Sequence, residues 1–244
     1  MQPQNRDKVK MVSGLEMETS KMSQMMNDLW QYLTDEQRRL LSGSSIIEKY
    51  KKNDIIYHEN DTPSYLYCLA KGKVKIYKEG VGGRQQIVRM PCPNSFFGYR
   101  AGFTNSIYST EASAIEDTTL CLIPLHVIKQ IIRENHEVAI FFIRQLASLL
   151  GAADDNTVSL TQKHLRGRLA EALLRLKSSY GTEDDGSTLA ISISREDLAN
   201  LSNMTTSNAI RTLSSFAADG LIATNAHKIS ILDEEELKKI SQNG

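Results

Sequence analysis

At 244 residues the chain is long enough to bury a core without covalent staples, and two domains suit that length better than one. Lys plus Arg and Asp plus Glu both number 29, so the formal net charge is zero and the chain as a whole has no electrostatic preference for a polyanion. Its three cysteines, Cys68, Cys92 and Cys121, are an odd number set far apart, which argues against a disulfide framework or a zinc or iron–sulfur site and suits buried thiols in a reducing cytoplasm.

The first stretch, 1–26, is polar and reads as an N-terminal tail. It holds no apolar run long enough for a signal peptide or a membrane span, so a cytoplasmic protein with no membrane partner is expected. Met17, Met22, Met25 and Met26 leave two readings open, an apolar patch on a first helix or a frayed end. Between Asp28 and Leu41 apolar residues recur near helical spacing, broken at Thr34-Asp35-Glu36 by a new cap, so two short helices are predicted. Short β-rich runs follow: Ile46-Ile47, Ile55-Ile56-Tyr57, Tyr65 to Leu69, Val74 to Tyr77, Gln86 to Val88 and a last group from Tyr108 to Pro124. Asn53-Asp54, Asn60-Asp61, Lys71-Gly72-Lys73 and Gly80 to Gly83 punctuate them at the intervals of an all-β barrel or sandwich.

Leu125 to Glu134 reads as a short helix and His136 to Gln162 as a longer one. On the longer helix Ala139, Phe142, Leu146, Leu149, Ala153, Asn156 and Leu160 are separated by 3, 4, 3, 4, 3 and 4 residues, a heptad seam. One helix cannot bury such a stripe against itself, so the pattern asks for a partner, with the polar Asn156 of the kind that fixes register. The other reading of the stripe is a helix packed on its own domain. Gly151 marks a weak point in helix propensity.

From Lys163 to Tyr180 leucines line one face of a helix that ends at Gly181. After a polar loop and a short strand at Leu189 to Ile193 comes the most informative stretch, Ser194 to Phe216. Ser194 caps one helix, with the Asp197 carboxylate facing the free amides; Asn203 permits a sharp turn, and Thr205 or Thr206 caps a second helix. In that second helix Ala209, Leu213 and Phe216 point inward, which turns Thr206, Ser207, Ile210 and Arg211 outward. Such a pair is a helix-turn-helix, whose second helix reads base edges in the major groove. A plain helical hairpin with a solvated polar face is the bland alternative. Strand, turn and strand over 220–232 form a wing, with Lys228 placed to meet a phosphate, and an acidic helix closes the chain. Residues 163–244 hold 10 basic and 11 acidic side chains, so any affinity for DNA must come from local placement.

Lys52 to Asp61, then Tyr65-Leu66-Tyr67 and Lys71 to Lys75, resemble the recurring phrases of a cyclic-nucleotide-binding β-roll. Asn53 and Asn60 stand where glycine is usual, and Asn shares glycine's access to positive φ. Joined to the helix-turn-helix, and to Arg168 to Leu176, which matches a helix opening such DNA-binding domains, this chain resembles the bacterial regulators of the cyclic-AMP receptor protein and fumarate-nitrate reductase regulator family. The resemblance runs from about Leu29 to Leu232, in the family's domain order. It implies an α+β protein: a tail over 1–26, a jelly-roll type effector-sensing β-roll over 27–135, a dimerisation helix over 136–162 and a winged helix-turn-helix over 163–244. It also implies a homodimer on a palindromic double-stranded operator, with RNA polymerase as a further partner. Thr205, Thr206, Ser207, Asn208, Arg211 and Lys228 form the expected DNA face, with Arg211 at the family's base-contacting position.

The resemblance places the effector pocket at Phe97, Gly98, Tyr99, Arg100, Tyr108, Ser109 and Asp154. There the chain departs from the family's cyclic-AMP binders: their carboxylate for the ribose is replaced by Tyr99, their arginine for the cyclic phosphate by Tyr108, and their adenine-facing threonine and serine by Ala153 and Asp154. Cyclic AMP is therefore not the expected effector. The iron–sulfur cysteine cluster of the family's oxygen sensors is absent as well, which leaves the cofactor unknown and a heme or small apolar ligand open. No nucleotide-binding glycine loop, zinc-hydrolase or serine-hydrolase motif occurs, so no enzyme is expected. A β-roll regulator that acts through a protein partner is the alternative function.

Overall fold

The computed structural model describes residues 19–243. Helices α1 (Thr19–Met25), α2 (Asn27–Trp30) and α3 (Asp35–Ser44) come first. At the break expected near Thr34, its hydroxyl accepts from the Gln37 amide at 3.2 Å and the Gln37 side chain accepts from the Thr34 amide at 3.1 Å, a complete capping box. Met17 lies outside the described residues, but Met22 and Met26 are fully buried beside Leu29 and Leu41. From residue 19 on, the expected tail is thus a helix whose thioethers fill the core beneath the roll; the Cys68 thiol donates to the Met25 carbonyl at 3.2 Å.

Eight strands build the roll: β1 (Ile46–Tyr50), β2 (Ile55–Tyr57), β3 (Tyr65–Lys71), β4 (Val74–Glu79), β5 (Gln85–Arg89), β6 (Phe96–Phe97), β7 (Glu111–Ala114) and β8 (Thr118–Pro124). They pair antiparallel in two four-stranded sheets, ordered β1-β8-β3-β6 and β2-β7-β4-β5. Asn53 and Asn60 both adopt φ of 70°, the glycine-like backbone inferred for them. Between the sheets Tyr57, Tyr67, Leu69, Val74, Phe97 and Leu120 form one core, while the outer face of the first sheet packs on the helices in a second. The short helix α4 (Tyr99–Phe103), between β6 and β7, had no sequence signal of its own.

Helices α5 (Leu125–Glu134) and α6 (His136–Gln162) have the expected limits. Asn135 separates them: its Oδ1 accepts from the Glu137 and Val138 amides at 3.1 and 3.4 Å, and its Nδ2 donates to the Tyr32 carbonyl at 2.8 Å. Helices α7 (Leu165–Tyr180), α8 (Arg195–Leu201) and α9 (Thr206–Ala218), hairpin β9 (Ile222–Asn225) and β10 (Lys228–Ile231), and α10 (Glu234–Asn243) enclose a third core. The strand expected over 189–193 is reduced to isolated bridges, Thr182 with Leu189 and Thr188 with Ser230. Leu189, Ile191 and Ile193 are buried in alternation as a strand requires, and the Leu189 and Ile193 amides donate to the Ile229 and His227 carbonyls at 2.9 and 3.2 Å. The segment lies along the wing without a continuous ladder.

The C-terminal part rests on the roll. Lys75 Nζ meets Asp197 Oδ1 at 2.5 Å, the Arg84 guanidinium donates to the Asn203 side chain, and the Tyr180 hydroxyl donates to the Pro91 carbonyl at 3.1 Å.

Candidate DNA-reading face and effector cleft

Local chemistry fixes the helix pair. Ser194 Oγ accepts from the Asp197 amide at 2.9 Å, starting α8. The Asp197 carboxylate does not serve the free amides as expected; it accepts from Ser194 Oγ at 2.8 Å and pairs with Lys75. Asn203, at φ of 49°, turns the chain, and Thr205 Oγ1 accepts from the Asn208 amide at 3.2 Å to cap α9. Ala209, Leu213 and Phe216 are buried, so Thr206, Ser207, Ile210 and Arg211 face solvent. Arg211 Nη2 donates to Asn208 Oδ1 one turn back at 2.6 Å, which holds the guanidinium along the exposed face. Lys228 lies at the wing but is engaged by Glu183, with Nζ to Oε1 at 2.8 Å.

Arg195 was not among the residues expected on the DNA face. Its Nη2 donates to the wing carbonyl of Ala226 at 2.9 Å, which joins α8 to the hairpin. Most cations of this part are matched by acids: Lys163 with Glu171, Arg166 with Asp219, Lys177 with Glu234, Lys228 with Glu183. Arg168 and Arg175 of α7 and Arg195 and Arg211 of the helix pair have no carboxylate partner among the described residues, and of these Arg195 and Arg211 lie at the helix pair and wing.

A cleft of about 610 Å³ opens between the roll, α6 and α7. Gly98, Tyr99, Arg100, Tyr108 and Ser109 line it as expected, whereas Phe97 is buried in the roll and Asp154 faces solvent outside the lining. Tyr108, where the family's cyclic-AMP binders carry arginine, is 4 % exposed and stacks on Tyr57 with ring centroids 3.9 Å apart and planes 16° from parallel. Tyr99 is 1 % exposed, packed on Phe103 and Phe142. Burial holds both phenols neutral, their pKa values raised above the ordinary tyrosine range. Arg89 and Lys78 of the roll and Arg175 of α7 also line the cleft, none of them foreseen. Leu149, Ala153 and Asn156, assigned to the dimer seam, line it too.

The rest of the expected seam is divided. Phe142 is 2 % exposed within its own core, with Leu146 packed beside it. The unburied apolar stripe of α6 lies one residue along: Ile140, Ile143, Ala147 and Leu150, with Ile143 and Leu150 at 59 and 64 % exposure.

Among the described residues no cluster of His, Cys, Asp or Glu could hold a metal, and no helix is long and apolar enough to cross a membrane. Residues 47–135 match the model of the cyclic nucleotide-binding domain and residues 167–240 that of the Crp-like helix-turn-helix domain. The nitrogen fixation regulation protein FixK of Rhizobium meliloti is 26% identical over 201 residues, covering 82% of this chain and 89% of that protein. The CRP-like cAMP-activated global transcriptional regulator of Mycobacterium tuberculosis is 24% identical over 191 residues, covering 78% of this chain and 85% of that one. The structure of FixK2 from Bradyrhizobium japonicum aligns with a TM-score of 0.74 at 25% identity, over 80% of this chain and 96% of that one. With both matched units in this order around one long helix, the chain belongs to the cyclic-AMP receptor protein and fumarate-nitrate reductase regulator family of DNA-binding transcription regulators.

Proposed function

We propose that the chain acts as a homodimer on a palindromic operator, and that its grip on DNA is set by an effector other than cyclic AMP in the cleft of the roll. The division expected from the sequence, a roll over 27–135, a dimerisation helix over 136–162 and a DNA-binding part over 163–244, belongs to this proposal. So do RNA polymerase as a partner and Thr205, Thr206, Ser207, Asn208, Arg211 and Lys228 as the DNA face, to which Arg195 is added.

The observation that carries the effector reading is Tyr108, buried and stacked on Tyr57. A cyclic phosphate seated against Tyr108 would meet a neutral phenol where the family's cyclic-AMP binders offer a guanidinium. The arginines of the cleft, Arg89, Arg100 and Arg175, stand at other positions of its lining, which argues against the family's mode of holding that phosphate. For the dimer, the exposed stripe Ile140, Ile143, Ala147 and Leu150 keeps the 3, 4, 3 spacing of a helix-to-helix seam. A second copy on that stripe supplies the second recognition helix that a palindrome requires.

Two measurements test this reading. Titration calorimetry with cyclic AMP and cyclic GMP is expected to give no submicromolar binding, and such binding would overturn the effector claim. A gel-shift of the full chain on the DNA upstream of its own gene is expected to give a discrete, competitor-resistant band. No band at any effector condition would favour action through a protein partner.

A further inference from the structure

Four cationic side chains line the cleft, Lys78, Arg89, Arg100 and Arg175, and no aspartate or glutamate does. Lys78 is matched by Glu59 at 3.0 Å. The other three have no carboxylate partner among the described residues: Arg89 Nη2 donates only to the Phe96 carbonyl at 3.3 Å, and Arg175 Nη1 to Asn156 Oδ1 at 3.0 Å. Burial pushes the Arg89 guanidinium below its ordinary pKa, and the like charge of Arg100 pushes the same way. Arg89 is half-buried, Arg100 and Arg175 are exposed into the cleft, and a partly desolvated cation without a counter-charge is relieved by an anion that enters beside it. The same cleft exposes apolar surface, with Val88 43 % and Ile107 51 % accessible, so its occupant has a carbon frame as well as charge.

We propose that the effector of this cleft is a small organic anion with at least two negative charges, held by Arg89 and Arg100 of the roll and by Arg175 of the DNA-binding part. The proposal rests on the reading above that the cleft holds an effector other than cyclic AMP. Two charges are needed because the cations come from two sides, β5 and α4 on one and α7 on the other. Arginine suits both carboxylate and phosphate through paired N–H donors. Asn156 of α6 holds Arg175 in the structure; an anion recruits that guanidinium and thereby biases α7, to which α8 and α9 are packed. Ligand and operator then influence one another's affinity by the same factor.

The test is calorimetry on the full chain with succinate, citrate and pyrophosphate in turn, ionic strength fixed with KCl at about 0.15 M. At least one probe is expected to bind more tightly than about 1 mM, and the carboxylate and phosphate arms distinguish the two sources of charge. Arg89→Gln and Arg100→Gln are expected to weaken it about tenfold or more, Arg89→Lys by less, and the surface variant Lys51→Gln not at all. Arg175→Gln is expected to weaken the ligand and to shrink the ligand-dependent change in operator affinity by at least about half. Melting curves of the unliganded variants confirm that each is folded. Failure of all three probes to bind above the KCl control, or binding indifferent to the three arginines, overturns the proposal. Cyclic AMP runs in the same series: its tight binding overturns the underlying reading, whereas silence from cyclic AMP and from every probe overturns the anion proposal alone.

Discussion

Lys75 of β4 and Asp197 of α8 meet at 2.5 Å with side chains only 18 and 15 % exposed, so one shielded ion pair ties the first helix of the helix-turn-helix to the roll. Asp197 also takes the Ser194 hydroxyl, and Lys75 Nζ lies 5.3 Å from the centre of the Tyr77 ring. A pair so withdrawn from water is screened less than the surface pairs of α10, such as Lys239 with Glu236. It links the arrangement of the roll and the DNA-binding part to a charge at the start of α8.

Replacing Lys75 by Met leaves Asp197 half-satisfied in a poorly solvated place. The expected cost is about 1–3 kcal/mol of unfolding free energy, together with faster amide exchange in α8. Denaturant titration and hydrogen exchange read both quantities. In a double-mutant cycle with Asp197→Asn the coupling is expected to exceed about 0.5 kcal/mol, and strict additivity would show that the pair is incidental.

The two faces of α6 respond differently to substitution. Ile143→Glu or Leu150→Glu, on the exposed stripe, is expected to leave the melting of each part nearly intact while shifting the chain to monomer in sedimentation velocity. Phe142→Ala instead removes a ring that touches Phe96, Tyr99, Phe103 and Phe141 and is expected to cost about 3–5 kcal/mol of stability. A monomer from Phe142→Ala with stability unchanged would return the seam to the register first expected.

The one-residue offset between the expected seam and the exposed stripe marks what local pattern carries. Helix ends were legible because their causes lie within three residues: Thr34 with Gln37, Ser194 with Asp197, Thr205 with Asn208. Asn53 and Asn60 announced their backbone by residue type alone. On α6, by contrast, one face is buried in its own core and another is left bare, so the apolar residues at 139, 142 and 146 and those at 140, 143 and 147 both keep heptad spacing. Nothing in the spacing says which face the roll already covers. The cleft was legible only in part for a similar reason. Gly98 to Arg100 and Tyr108-Ser109 stand in recognisable phrases, whereas Arg89 and Arg175 come together only through folding. The first helix stayed one of two open readings because polar residues separate the methionines whose burial decides its position.

Gly72 joins β3 to β4 at φ of 93°, and a Cβ there would sit 2.6 Å from Thr118 Cα and 2.7 Å from the Asp117 carbonyl. Backbone cannot move aside as a side-chain tip can. Gly72→Ala is expected to cost at least about 2 kcal/mol, read as a lowered denaturation midpoint of the roll, through strain and overlap together. Gly151→Ala is the comparison: its Cβ meets nothing within 4 Å in the single chain, so helix propensity favours the variant by about 1 kcal/mol. If Gly151→Ala weakens association instead, the partner helix approaches at that glycine.

Arg211 and Lys228 are expected to fail in different ways on DNA. The Arg211 guanidinium lies on the exposed face of α9, kept there by Asn208 and without a carboxylate partner among the described residues. It is therefore free to take two acceptors of a guanine edge, and Arg211→Ala is expected to cost about 1–3 kcal/mol on the specific site and to relax preference at one base pair of each half-site. Lys228 must first leave Glu183 to reach a phosphate. Lys228→Ala is accordingly expected to weaken all sequences alike and by less, and to lower the slope of log affinity against log salt by about one per protomer. Glu183→Gln frees the lysine and is expected to raise affinity on every sequence. Fluorescence anisotropy across single-base operator variants at several salt concentrations separates these outcomes. Unchanged base preference in Arg211→Ala would remove that residue from the reading face, and an unchanged salt slope in Lys228→Ala would leave the lysine serving only its glutamate.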